Sequence, residues 1–220
     1  MNENDLQVLK QLQLVYLNNK EANFDTVHPW RKNWKYTILH SYRVEKYVET
    51  ILEKEKIEIS TDDILLTRAA AIIHDIGKLE AKSEHAIESA RIVQTFINNG
   101  LLENLTHDEH DRLIYMLLKH SEKANREKSN YCLNVLKDAD LLDETGMMSI
   151  FMAGNWVDRC NPYYFNELHK RIEQKEIEFC YKGIELLFTE TAKNLLIQKK
   201  EFIKNASDQL KEEIMGINDI

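Results

Sequence analysis

His40 and the adjacent pair His74-Asp75 are of the types that ligate divalent metals, and their setting gives them a reason to do so. The run AAAIIHDIG places an imidazole and a carboxylate in a strongly apolar segment. Burying an unpartnered charge costs on the order of several kcal/mol, so that segment requires a partner for its polar pair. His40 recurs with Val44, Tyr47 and Ile51 at spacings of 4, 3 and 4, which puts it on the core-facing stripe of a helix. Mutual satisfaction of buried polar groups is the plain alternative for any lone histidine or aspartate. A metal satisfies both donors at once, and the N/O mixture suits Mn, Co, Mg, Fe, Ni or Zn with room for bound water.

The elements that must hold these residues are helices. Only six glycines and two prolines in 220 residues leave few helix breakers among abundant Leu, Ile, Glu and Lys. The pattern predicts a helix near Asp5 to Asn18, a loop from Asn23 to Asn33, and a helix from Trp34 to Lys54. Ser60 then caps an apolar helix from Ile64 to Ile76 that Gly77 stops. A helix from Ser83 ends at Asn99-Gly100, and a capping box of Thr106 and Glu109 opens one that ends near His120. Another runs from Asn130 through Asp140 toward Asn155 with an interruption near Gly146, Asn161-Pro162 starts the next, and charged amphipathic helices follow.

With the histidine, the His-Asp pair and a later aspartate in this order, the chain resembles the HD-domain superfamily of metal-dependent phosphohydrolases. The carrying segments are LHSYRV, IIHDIGK and LKDADLLDETG, and SEHAIESARIV adds similarity to stand-alone bacterial HD hydrolases that include predicted nucleotide pyrophosphatases. The resemblance implies an all-α, single-domain bundle: residues 1–33 as a helix and loop packed on the core, 34–160 as the metal-binding core, and 161–220 as helices completing the same domain. It implies His40, His74, Asp75 and Asp140 as the metal ligands. A cation there would lower the pKa of a bound water and polarise the phosphoryl oxygen of a small phosphate ester or anhydride, with nucleotides the expected class.

His85 and His120 lie between the signature pair and Asp140, where other HD proteins add two histidines, so the resemblance implies them as ligands of a second metal or as phosphate contacts, with one ion expected rather than two. Lys78, Arg43 and Lys119 are the cations nearest the ligands. Lys78 suits either a site lysine or one attracted to a helix C-terminus, and Arg43 would read the same if it paired with Asp143. Glu80, Glu84 and Asp143 are the carboxylates that could orient water or a ligand histidine. At Leu141 and Met152 many of the resembling proteins carry arginines, so two anion contacts are missing, and Arg159 is the nearby candidate to compensate. These absences keep a non-enzymatic metal- or nucleotide-binding domain open, and the two extra histidines keep a diiron oxygenase open.

A formal charge of -8 argues against duplex nucleic acid as a partner. Cys132, Cys160 and Cys180 lack the close pairing of zinc or redox motifs and read as reduced thiols. With neither a leader-like N-terminus nor an apolar run of about 20 residues, the expectation is a soluble, cytoplasmic protein of unknown oligomeric state.

Overall fold

In a computed structural model describing residues 1–215, the chain is all-α and divides into two compact units, Met1–Asp143 and Glu144–Ile220. The first contains α1 (Glu3–Leu17), α2 (Trp34–Lys54), α3 (Thr61–Ile73), α4 (His85–Asn98), α5 (His107–Lys119) and α6 (Tyr131–Leu142). The helix starts follow local chemistry: Asn2 and Asp5 make a capping box for α1, Ser60 accepts from Asp63 N–H, and Thr106 pairs reciprocally with Glu109.

α3 is the central element, packed against α1, α2, α5 and α6. Its Leu66, Ala69, Ala70, Ala71, Ile72 and Ile73 are fully buried, as expected of a helix apolar all round. The alanines let neighbouring helices approach closely, while each large side chain stabilises by about 1.5–3 kcal/mol through burial. Leu6 and Leu9 from α1, Val44, Val48 and Ile51 from α2, Leu113 and Leu117 from α5, and Leu133 and Leu136 from α6 complete this core.

The expected extent of α3 requires correction. The helix ends at Ile73, and His74 through Glu80 form successive turns. Gly77 does not stop it by a left-handed backbone. Its smallness is needed because a Cβ would lie 2.6 Å from Ser89 N and 2.8 Å from Glu88 C on α4. The last carbonyls of α3 find other partners: Gln13 Nε2 donates to Ile72 O at 2.6 Å, and Ile76 N donates to Ile73 O at 3.2 Å.

In the second unit, α7 (Met147–Ala153), α8 (Tyr164–Arg171) and α9 (Glu178–Leu186) pack with the long α10 (Glu190–Ile214). Gly146, at φ +80°, breaks the helical pattern before α7 as expected. Asn161-Pro162 lies in a turn, with α8 starting at Tyr164, because Asn161 Oδ1 accepts from Tyr163 N–H and fixes that turn. A π-helical stretch, Ile172–Ile177, joins α8 to α9. Among the described residues no helix is long and apolar enough to cross a membrane.

The cysteines are free, with Cys132 and Cys180 buried and Cys160 exposed. Burial pushes the Cys180 thiol up to about 11, and it also raises that of Cys132. A raised thiol pKa leaves the unreactive protonated form dominant at pH 8. Ellman titration at pH 8 should therefore label one thiol per native chain rapidly and three after denaturation; rapid native labelling of three would contradict this burial.

Candidate metal centre

Two helix ends and one helix face supply the cluster. His40 comes from the inner face of α2, His74 caps the end of α3 with Asp75 in the following turn, and Asp140 lies on the last turn of α6. Ala71 O can only accept, so His74 Nδ1, 2.8 Å away, carries the proton and Nε2 presents its lone pair inward. His40 Nε2 lies 3.1 Å from His74 Nε2, 3.3 Å from Asp75 Oδ2 and 3.4 Å from Asp140 Oδ1. His74 Nε2 is 3.7 Å from the same Asp75 oxygen and 3.8 Å from Asp140 Oδ1.

These spacings fit a metal. Bonds of about 2.1 Å place tetrahedral ligands about 3.4 Å apart and adjacent octahedral ligands about 3.0 Å apart. Burial pushes the His74 imidazole down to about 3, which keeps it neutral as a ligand must be. Burial opposes ionisation of Asp75 and Asp140, yet Lys78 holds Asp75, and Lys123 holds Asp140, well below the usual carboxylate range. Burial likewise opposes charging of His40, but Asp140, Asp143 and Asp75 raise it well above its ordinary value.

Asp75 also faces the other way. Its Oδ1 is buried without a hydrogen-bond partner, 3.4 Å from His85 Nε2 and 3.6 Å from His120 Nε2. His120 repeats the geometry of His74: it caps α5, gives its Nδ1 proton to Leu117 O at 2.7 Å, and leaves a buried, unpartnered Nε2. His85, at the start of α4, directs Nδ1 to Lys82 O at 3.1 Å, and burial lowers its pKa. Acceptor thus faces acceptor around Asp75 Oδ1, an arrangement that a cation satisfies.

The HD domain family model matches residues 37–145, the span containing all six of these residues. The chain belongs to the HD-domain superfamily. Solved structures of the same fold include YpgQ of Bacillus subtilis in complex with ADP, at 20% identity and TM-score 0.56, covering 95% of this chain and 99% of that one. The Lin1889 protein of Listeria innocua matches at 16% identity and TM-score 0.60, covering 97% and 98%. A Lactobacillus plantarum protein matches at 19% and 0.58, covering 98% and 99%. No curated protein is significantly similar to this chain in sequence.

Around the HD cluster, Asp143 accepts from His40 Nδ1 at 2.6 Å and takes Arg43 in a two-pronged pair at 2.7 and 2.9 Å. Arg43 thus makes the acid pair that its position allows, and its partner is the carboxylate that orients His40. Arg43 and His40 hold the Asp143 carboxyl low against the opposing effect of burial. Lys78 Nζ donates to Asp75 Oδ2 at 2.7 Å, with its side chain 40% exposed.

The remaining candidates have other surroundings. Lys119 pairs with Glu122 at 2.7 Å; Glu80 binds Lys20 at 2.5 Å and Tyr16 OH at 2.8 Å; Glu84 is exposed at the start of α4. Leu141 is buried on α6, while Met152 lies on α7 and Arg159 bonds Asn155 Oδ1 at 2.8 Å, both in the second unit. One cation escaped sequence reasoning: Lys123, whose Nζ pairs with Asp140 Oδ2. It lies 17 residues away in a polar turn without a motif, and no local periodicity marks it.

Proposed function

We propose that the chain is a metal-dependent phosphohydrolase acting on a small phosphate ester or anhydride, with a nucleotide as the substrate class. The convergence of His40 Nε2, His74 Nε2, Asp75 Oδ2 and Asp140 Oδ1 at metal-ligand spacing carries this reading. The HD superfamily supports the reaction class, and the ADP held by YpgQ supports the substrate class. A divalent cation held by these four residues would supply an activated water and polarise the phosphoryl oxygen.

The protein's own groups do the rest. Asp143 fixes the His40 ring by holding its Nδ1, leaving Nε2 for the centre. Lys78 remains an ammonium, since the Asp75 and Asp140 carboxylates outweigh its burial, and its free N–H groups are available to a phosphate oxygen. The unpartnered Asp75 Oδ1 and His120 Nε2 favour a second, weaker cation beside His85.

Metal analysis of protein purified without chelator should find at least one divalent ion per chain, rising toward two as metal is added. His120→Ala should remove the second ion and keep the first. A phosphatase screen with Mn, Co and Mg should release phosphate from nucleotides without oxygen uptake. Metal-free protein that gains no activity would sink the proposal, and oxygen consumption with two irons would replace it with a diiron oxygenase.

A further inference from the structure

The segment between α5 and α6, residues 121–130, is polar and lacks a helix or strand of its own. α6 nevertheless holds it at several points. Asn130 Oδ1 caps α6 by accepting from Leu133 N–H at 3.0 Å. Asn134 Nδ2 donates to Glu127 O at 2.8 Å, and Lys137 Nζ donates to Asn125 O at 2.6 Å. Arg126 pairs with Asp138 at 3.0 Å and donates to Asn134 O at 3.2 Å. Asn134, Lys137 and Asp138 are fully buried and share one face of the helix at spacings of three and four.

Polar anchors of this kind are an expensive way to seat a surface turn. An apolar contact would do so without burying a lysine, and burial together with nearby Arg126 pulls the Lys137 ammonium below its ordinary pKa. What the anchors achieve is a fixed place for Lys123. Its ammonium contacts Asp140 Oδ2 while Asp140 Oδ1 faces His40 and His74, and its side chain remains 25% exposed.

We propose that residues 121–130 form a strap that presents Lys123 to the substrate phosphate, with Lys137 as the positioning residue that anchors the strap on α6. This rests on the phosphohydrolase reading and deepens it. Leu141 and Met152 offer no charge, whereas the strap brings a cation to the carboxylate at the centre. A lysine can give one N–H to Asp140 and others to a phosphate oxygen.

The test is calorimetric titration of inorganic phosphate into the full chain, with and without Mn. For the Mn-loaded protein, Lys123→Ala should weaken phosphate about 10- to 100-fold with metal content unchanged, the loss expected for one charged hydrogen bond. Lys123→Arg should restore most of the affinity, and Lys128→Ala, an exposed strap lysine, should change nothing. Lys137→Met should weaken phosphate although Lys123 is intact, and the double variant should be no worse than Lys123→Ala alone. A metal-loaded Lys123→Ala chain with wild-type phosphate affinity overturns this inference and leaves the phosphohydrolase reading standing. Lys137→Met that is less stable yet binds phosphate normally overturns the positioning role. Lys123-dependent phosphate binding without any retained metal supports the strap and overturns the metal-dependent reading.

Discussion

Asp75→Ala is expected to remove the bound metal and to reduce phosphate release by at least about 10³-fold, beyond the 10–100-fold typical of residues that only orient a ligand. The two carboxylate oxygens of Asp75 face different halves of the cluster. Its Oδ2 lies with His40 and His74, and its Oδ1 faces His85 and His120. It also pairs with Lys78, so its loss leaves that ammonium without its carboxylate. Asp75→Asn keeps the volume and one carbonyl oxygen but discards the charge, separating the electrostatic role from packing. Circular dichroism with chelator present should show both variants folded, because α3 and its apolar neighbours do not depend on the Asp75 charge. Wild-type metal content and turnover in Asp75→Asn would refute the assignment.

The same residue shows what the sequence could reveal. The apolar run before it marked a buried helix, and the alternation around His40 marked an inward face; both follow from local periodicity, and α2 spans Trp34–Lys54 as expected. The Arg43 and Asp143 pairing was also legible as one of two alternatives, since each residue lies near a ligand in sequence. What escaped depends on contacts between distant segments. Nothing near Gly77 announces that α4 comes within 3 Å of where its Cβ would be, so the glycine looked like a helix stop. Lys123 resembles any surface lysine until Lys137 and Asp138 of α6 seat the turn that carries it. Likewise, Glu80 follows the signature pair closely in sequence, whereas its side chain bonds Tyr16 and Lys20 from the N-terminal segment.

Gly77→Ala is therefore expected to be far more damaging than its single methyl suggests. The new Cβ would meet the backbone of Glu88 and Ser89 at 2.8 and 2.6 Å, atoms that cannot rotate away as a side-chain tip can. α4 must move, and with it the 2.9 Å bond from Gly77 N–H to Ser89 Oγ. Overpacking of about 1–3 kcal/mol and a lost hydrogen bond of about 1 kcal/mol together predict a loss of about 2–4 kcal/mol. At about 2–4 °C per kcal/mol for a chain of this size, the Tm should fall by roughly 4–16 °C. The displacement has a second consequence, because α4 begins with His85 and its Nε2 lies 3.4 Å from Asp75 Oδ1. Moving α4 separates that imidazole from the carboxylate while His40, His74 and Asp140 stay on helices that α4 does not carry. Thermal melts and metal titration of the same variant should thus show a lower Tm and a weakened second ion with the first retained. An unchanged Tm would mean that α4 does not press on the turn after the His-Asp pair.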